Sequence, residues 1–175
     1  MTRMKKVFWV LVVVLVVLVA MVFLPHKSVV VSTTVSQQTD EPLPANDYKT
    51  TALVMAGETF NAQIADTPEL QELGLSYRTS LGSQDAMLFV FAEPRANNLF
   101  WMKGMNFPLD IIWLDSNKTV IYIEPDLSPA TYPQGFGPST PSQYVIEVNA
   151  GTVSRLGLKV GDTFAFTCNN VFCMR

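Results

Sequence analysis

Residues 109–124 read LDIIWLDSNKTVIYIE. Two runs rich in β-branched and aromatic residues, 109–114 and 119–124, flank the polar loop Asp115-Ser116-Asn117-Lys118. Apolar runs of strand length around a short polar turn predict a β-hairpin. The same signal recurs on both sides of it. Residues 50–55 and 59–65 predict strands around a turn at Gly57-Glu58, with Phe60, Ala62 and Ile64 on one face. MLFVF at 87–91 is continuously apolar and predicts a strand buried on both faces. Residues 100–102, 144–148 and 162–167 complete the strand set, the last following a turn at Val160-Gly161.

Helical signals are few. In TPELQELGL, Thr67 suits the N-cap, Pro68 the first helical position and Glu69 the positive end of the dipole, with a stop near Gly74. Residues 151–157 hold a second short helix. Residues 126–142 form a long loop containing Pro129, Pro133, Pro138 and Pro141, with Gly135 and Gly137. Its Tyr132 and Phe136 belong either to a rigid surface loop or to a lid that stacks on a ligand. The expected class is α+β: a mostly antiparallel sheet curled into a partial barrel with two short helices, behind one N-terminal transmembrane helix.

That helix is residues 7–24, 18 consecutive apolar residues. At the usual helical rise they span about 27 Å, close to the hydrocarbon thickness of a bilayer. Arg3, Lys5 and Lys6 precede them, which favours a cytoplasmic N-terminus. A cleaved signal peptide has a shorter apolar core followed by small residues, whereas Leu24-Pro25-His26-Lys27 ends this one. The expected organisation is a cytoplasmic basic stub at 1–6, a transmembrane helix at 7–24, a Ser/Thr/Gln/Pro-rich linker at 25–47 and an extracytoplasmic domain at 48–175. The chain would then sit in the cell membrane with a single pass.

Charge and residue types exclude several chemistries. Residues 1–27 carry four basic residues and no acidic one, so the −3 of the whole chain leaves −7 beyond Lys27. So acidic a domain is a poor fit to nucleic acid. The single histidine, His26, lies beside the membrane segment, so the domain cannot hold a Ser-His-Asp triad. Gly135-Phe136-Gly137 lacks the Lys-Ser/Thr of a phosphate-binding loop. The two cysteines, Cys168 and Cys173, stand in CNNVFC. Outside the cytoplasm they are expected to form a disulfide, contributing about 2 kcal/mol at so short a spacing. The spacing offers no second ligand pair for a metal and is not a C-x-x-C redox pair. No metal or cofactor is expected.

The most unusual stretch is FWMKGMNFPLDIIWLD, residues 100–115, which crowds aromatics and methionines around a lone Asp110. Either Trp101, Phe107, Ile112 and Trp113 fill the core while Asp110 binds backbone amides, or Trp101, Met102 and Lys103 line a pocket that Asp110 anchors. Glu69 and Glu72 could pair as acid and base, or serve the helix dipole and solubility.

Four blocks, GLSYRTSL, MLFVF, FWMKGMNFPLDIIWLD and YVIEVNAG, in this order and spacing, resemble the family called domain of unknown function 192, from about Phe60 to Phe166. Two positions depart from its pattern: Ser76 stands where the family usually has Met, and Ala86 where it usually has Gly. The resemblance implies a compact β-rich α+β fold and no particular activity. It also places Arg78, Trp101, Lys103 and Asp110 at the family's characteristic polar and aromatic positions. An Arg78–Asp110 pair would be either a structural lock or a clamp for a carboxylate or sugar hydroxyl. The expected function is therefore a membrane-anchored binding or accessory module at the cell envelope, meeting a glycan or other small molecule, or a membrane protein partner. The alternative is a hydrolase or lyase acting on an envelope polymer through a carboxylate. Asp110 and Glu147 discriminate: a catalytic carboxylate should line a cleft and titrate abnormally, a structural one should be buried and fully paired.

Overall fold

The computed structural model describes residues 48–167. Within them the chain runs β1 (Lys49–Met55), β2 (Glu58–Ala65), α1 (Pro68–Leu73), β3 (Asp85–Arg95), β4 (Phe100–Trp101), β5 (Leu109–Leu114), β6 (Val120–Leu127), a 3-10 turn (Pro129–Thr131), β7 (Gly135–Phe136), β8 (Ser142–Asn149), α2 (Thr152–Leu156) and β9 (Ala165–Phe166). Seven strands form one sheet in the order β6-β5-β8-β3-β2-β1-β9, while β4 and β7 form a separate two-stranded ribbon.

The predicted turns set the local pairing. β1 and β2 pair in antiparallel fashion from Met55 opposite Glu58 to Lys49 opposite Ile64. The turn between them puts Ala56 and Gly57 at φ 48° and 83°, the geometry that matches strand twist. In the β5–β6 hairpin the Asp115 side chain accepts from the amides of Asn117 and Thr119 at 2.8 and 2.9 Å. α1 begins as its residues require: the Thr67 hydroxyl accepts from Leu70 N, with Pro68 following. Because α1 carries the chain back, β2 and β3 pair in parallel, the one parallel pair in this sheet.

The sheet curls because its two edges meet. Thr119 bridges Thr163, Val120 N donates to Asp162 O at 2.8 Å, and Phe164 N donates to Lys118 O at 3.0 Å. This stretch leads into β9, which pairs with β1 at the other edge. The result is a curled, mostly β half-barrel with two short helices. Strand alternation gives it two apolar clusters. One holds Leu53, Phe60, Leu88, Ile112, Ile146 and Phe166, with Val153 of α2 packed against it. The other, on the opposite face, holds Met87, Phe89, Ile111, Trp113 and Val145.

Two findings correct the sequence reading. β3 runs to Arg95, four residues beyond the expected end at Phe91. The 126–142 loop is not wholly irregular, since Gly135–Phe136 pairs with β4. Ala86, where the family usually has Gly, sits at 1% exposure in regular β3 opposite Ala62, so the strand needs no tight turn there. Among the described residues no helix is long and apolar enough to cross a membrane. The expected transmembrane segment, 7–24, and the expected disulfide, Cys168–Cys173, both lie outside the described residues.

Candidate functional site

Register decides which side chains can meet. Asp110 lies opposite Val148 and Ile111 opposite Glu147 in the β5–β8 pairing. Side chains alternate along each strand, so Asp110 shares a face with Val148, and Glu147 projects from the other face with Ile111. These two buried acids, both in strongly apolar strands, have different environments.

Asp110 is fully buried, and its oxygens accept from Val153 N at 2.7 Å, Asp126 N at 2.8 Å and Gly151 N at 3.2 Å. It caps the start of α2 from outside and ties β6 to the same point, satisfying amides that the helix leaves orphaned. The Arg78–Asp110 pair suggested by sequence does not form. Arg78 lies instead on the other face, its guanidinium carbon 5.3 Å from the centre of the Tyr48 ring. The structural alternative for Asp110 is the observed one.

Glu147 is 5% exposed, and its Oε2 has no hydrogen-bond partner among the described residues. Burial pushes its pKa up to about 8, and the nearby positive charge of Arg78 offsets this only in part. Near neutral pH the group therefore holds its proton to a large extent.

Glu147 contributes to a cleft of about 200 Å³ on the second face. The sheet supplies Phe89, Phe91 and Glu147; one wall is residues 71–76, the end of α1 and the turn after it; the other is residues 98–101 with Met105, and Arg95 also lines it. Gly74 makes the first wall possible. It adopts φ 52° and ψ −130°, and a Cβ there would lie 3.2 Å from Phe89 Cζ and 3.9 Å from Glu147 Oε2. Ser76, where the family usually has Met, donates its hydroxyl to Lys103 O at 2.9 Å and so ties this wall to the next loop.

The ribbon supplies the second wall. Phe100 turns inward, edge-on to Phe89 and Trp113 with ring centres 4.7 and 5.9 Å apart. Asn98 anchors the ribbon: its carbonyl accepts from Trp113 Nε1 at 2.8 Å and its amide donates to Ser142 Oγ at 3.0 Å. Trp101 turns outward, 47% exposed, and meets Tyr132 edge-to-face at 5.9 Å. Lys103 Nζ lies 5.8 Å from the Trp101 ring centre and 3.5 Å from Glu72 Oε1.

Of the four residues chosen from sequence, Trp101 lines the cleft and Lys103 stands beside it; Arg78 acts on Glu147 by charge, and Asp110 is on the other face. Glu72 lines the cleft, whereas Glu69 serves the helix start, its carboxyl held below the usual range by its own backbone amide and then by the Thr67 hydroxyl. Gly74 was marked only as a helix stop and the first residue of GLSYRTSL, and Arg95 and Asn98 had no sequence motif to mark them. Glu147 did: it is the one acid inside the apolar run YVIEV.

The chain resembles known proteins over this same region. Residues 51–166 match the family model for domain of unknown function 192, described as "Uncharacterized ACR". A UPF0127 protein of Thermococcus kodakarensis is 35% identical over 83 residues, 47% of this chain and 50% of that protein. The chain thus aligns with half the length of that curated relative. A crystal structure from Sinorhizobium meliloti, of a protein provisionally described as a transcription regulator, superposes with a TM-score of 0.63 at 32% identity, over 68% of this chain and 95% of that one. Another, a protein of unknown function from Novosphingobium aromaticivorans, superposes with a TM-score of 0.61 at 30% identity, over 67% and 84%. With fold and sequence in agreement over the whole described domain, the chain belongs to the domain of unknown function 192 family.

Proposed function

We propose that the domain is a binding module for small hydroxylated ligands, held at the outer side of a cell membrane by residues 7–24. The observation that carries the binding reading is the unpartnered Glu147 Oε2 in an aromatic-walled cleft. A buried polar atom without a partner costs about 1–3 kcal/mol. A ligand hydroxyl reaching this carboxyl would supply a hydrogen-bond partner, and the exposed Trp101 suits an apolar ring face. Support for the membrane anchor is the uninterrupted apolar run with Arg3, Lys5 and Lys6 before it. The acidic balance beyond Lys27 supports an envelope ligand over nucleic acid, whatever role the Sinorhizobium relative's description suggests for that protein.

A second reading rests on the same carboxyl. A carboxylic acid that keeps its proton near neutral pH is equipped to act as a general acid, so a hydrolase or lyase acting on an envelope polymer would use Glu147 as proton donor. Glu72 is the other carboxyl lining the cleft.

The test is thermal unfolding of the full chain in detergent against monosaccharides, peptidoglycan fragments and small carboxylates. Binding to the folded state raises the melting temperature with ligand concentration. A shift that disappears in Trp101→Ala, with the fold intact, is the expected result. Absence of any shift across the series contradicts the binding reading, and turnover of a bound polymer fragment would favour the second.

A further inference from the structure

Among the described residues, one basic side chain that lines the cleft forms no ion pair. Lys103 is paired with Glu72. Arg78 rests on Tyr48 and is not part of the lining. Arg95, at the end of β3, lines the cleft and forms no ion pair among the described residues. Its guanidinium carbon lies 4.3 Å from the centre of the Phe91 ring. A cation–π contact of this kind holds the guanidinium near the ring while its N–H groups remain able to donate. A planar pair of donors matches a carboxylate in bidentate fashion.

Glu147 adds the second polar point. Its Oε2 is buried and lacks a partner among the described residues, and Glu147 lines the same cleft. Phe100 and Trp101 supply an apolar wall, and about 200 Å³ is room for one ring rather than a chain. We propose that the cleft takes a single acidic sugar ring, its carboxylate on Arg95, a hydroxyl on the Glu147 carboxyl and its face on Trp101. This rests on the binding reading above and gives it a ligand class. The ring is either a free sugar acid or the terminal residue of a glycan; the recognising chemistry is the same for both.

Calorimetric titration of the full chain in detergent tests the assignment with matched probes. Glucuronate and galacturonate are set against glucose and galactose, which carry a hydroxymethyl group in place of the carboxylate. N-acetylmuramate, whose carboxylate is on an added lactyl ether, is set against N-acetylglucosamine, and glucose 6-phosphate serves as an alternative anion. One charge-assisted bidentate contact predicts that at least one acid binds about tenfold or more tighter than its neutral partner. In Arg95→Gln that preference should fall to about twofold or less. Arg95→Lys, which keeps the charge but loses the planar fork, should fall between. Equal binding of acid and neutral partners overturns the inference and leaves the binding reading standing. So does tighter binding of the phosphate, or an acid preference that survives in Arg95→Gln. Failure of every sugar to bind overturns the inference, and the binding reading then stands or falls on the wider melting series. A disaccharide with terminal glucuronate that binds more tightly than free glucuronate identifies the source as a polymer end, and the reverse identifies a free acid.

Discussion

At the residue scale the molecule contrasts two buried acids. Asp110 and Glu147 look alike in sequence, each a lone acid in an apolar run, and a one-residue offset in the β5–β8 register sends them to opposite faces. Asp110 has three amide partners, so Asp110→Ala should leave those amides stranded and destabilise the domain by about 3 kcal/mol or more, measured by chemical denaturation. Glu147 behaves differently with pH. Its native pKa, about 8, is above the ordinary carboxyl value of 4.5, so between those values the folded state holds a proton that the unfolded chain has released. The sign follows: wild-type stability should fall as pH rises through that window, by at most about 1.4 kcal/mol per pH unit, and level off above it. Glu147→Gln, neutral at every pH, should lack that slope; a variant with the wild-type slope would assign the pH dependence to other groups. Sequence left the Arg78–Asp110 pairing open, because the face that Asp110 takes is set by the β5–β8 register and Arg78 lies in the segment between α1 and β3, and neither placement is written in β5 alone.

At the scale of elements, local chemistry was the legible part. The hairpin at 109–124, the capped helix after Thr67 and the short helix near 152 follow from turn residues and caps. What sequence hid were elements defined by their partners. β7 is a Gly-Phe step in a proline-rich loop and becomes a strand only because Phe100 and Trp101 lie beside it. The four residues by which β3 passes Phe91 lack the apolar pattern, so Arg95 escaped notice although they bring it to the cleft. The wall after α1 depends on Gly74 in a backbone conformation that favours glycine. Gly74→Ala should destabilise the domain by about 1–3 kcal/mol through strain. The added methyl also meets Phe89 and approaches Glu147 Oε2, so it should weaken ligand binding beyond what the lost stability explains. Titration under conditions where the variant remains folded checks this.

Across the described domain, the curled half-barrel is a scaffold with one face whose buried side-chain polar atoms are all satisfied and one that carries the unpartnered Glu147 Oε2 and Gln63 Oε1. The class and family were legible from strand-length apolar runs and from four spaced blocks; the cleft was not, because it brings together residues from 71 to 147 through the parallel β2–β3 pairing and the ribbon. The central claim is that Glu147 is kept for a ligand at a cost to stability. Functional groups of this kind commonly oppose stability. The most direct test compares denaturant unfolding of wild type and Glu147→Leu at about pH 7, where the native carboxyl still holds most of its proton. Leucine removes the unpartnered buried oxygen, so the account predicts a variant more stable by about 1–3 kcal/mol. A variant less stable than wild type by a similar amount would show that Glu147 is a structural group, and would contradict the account.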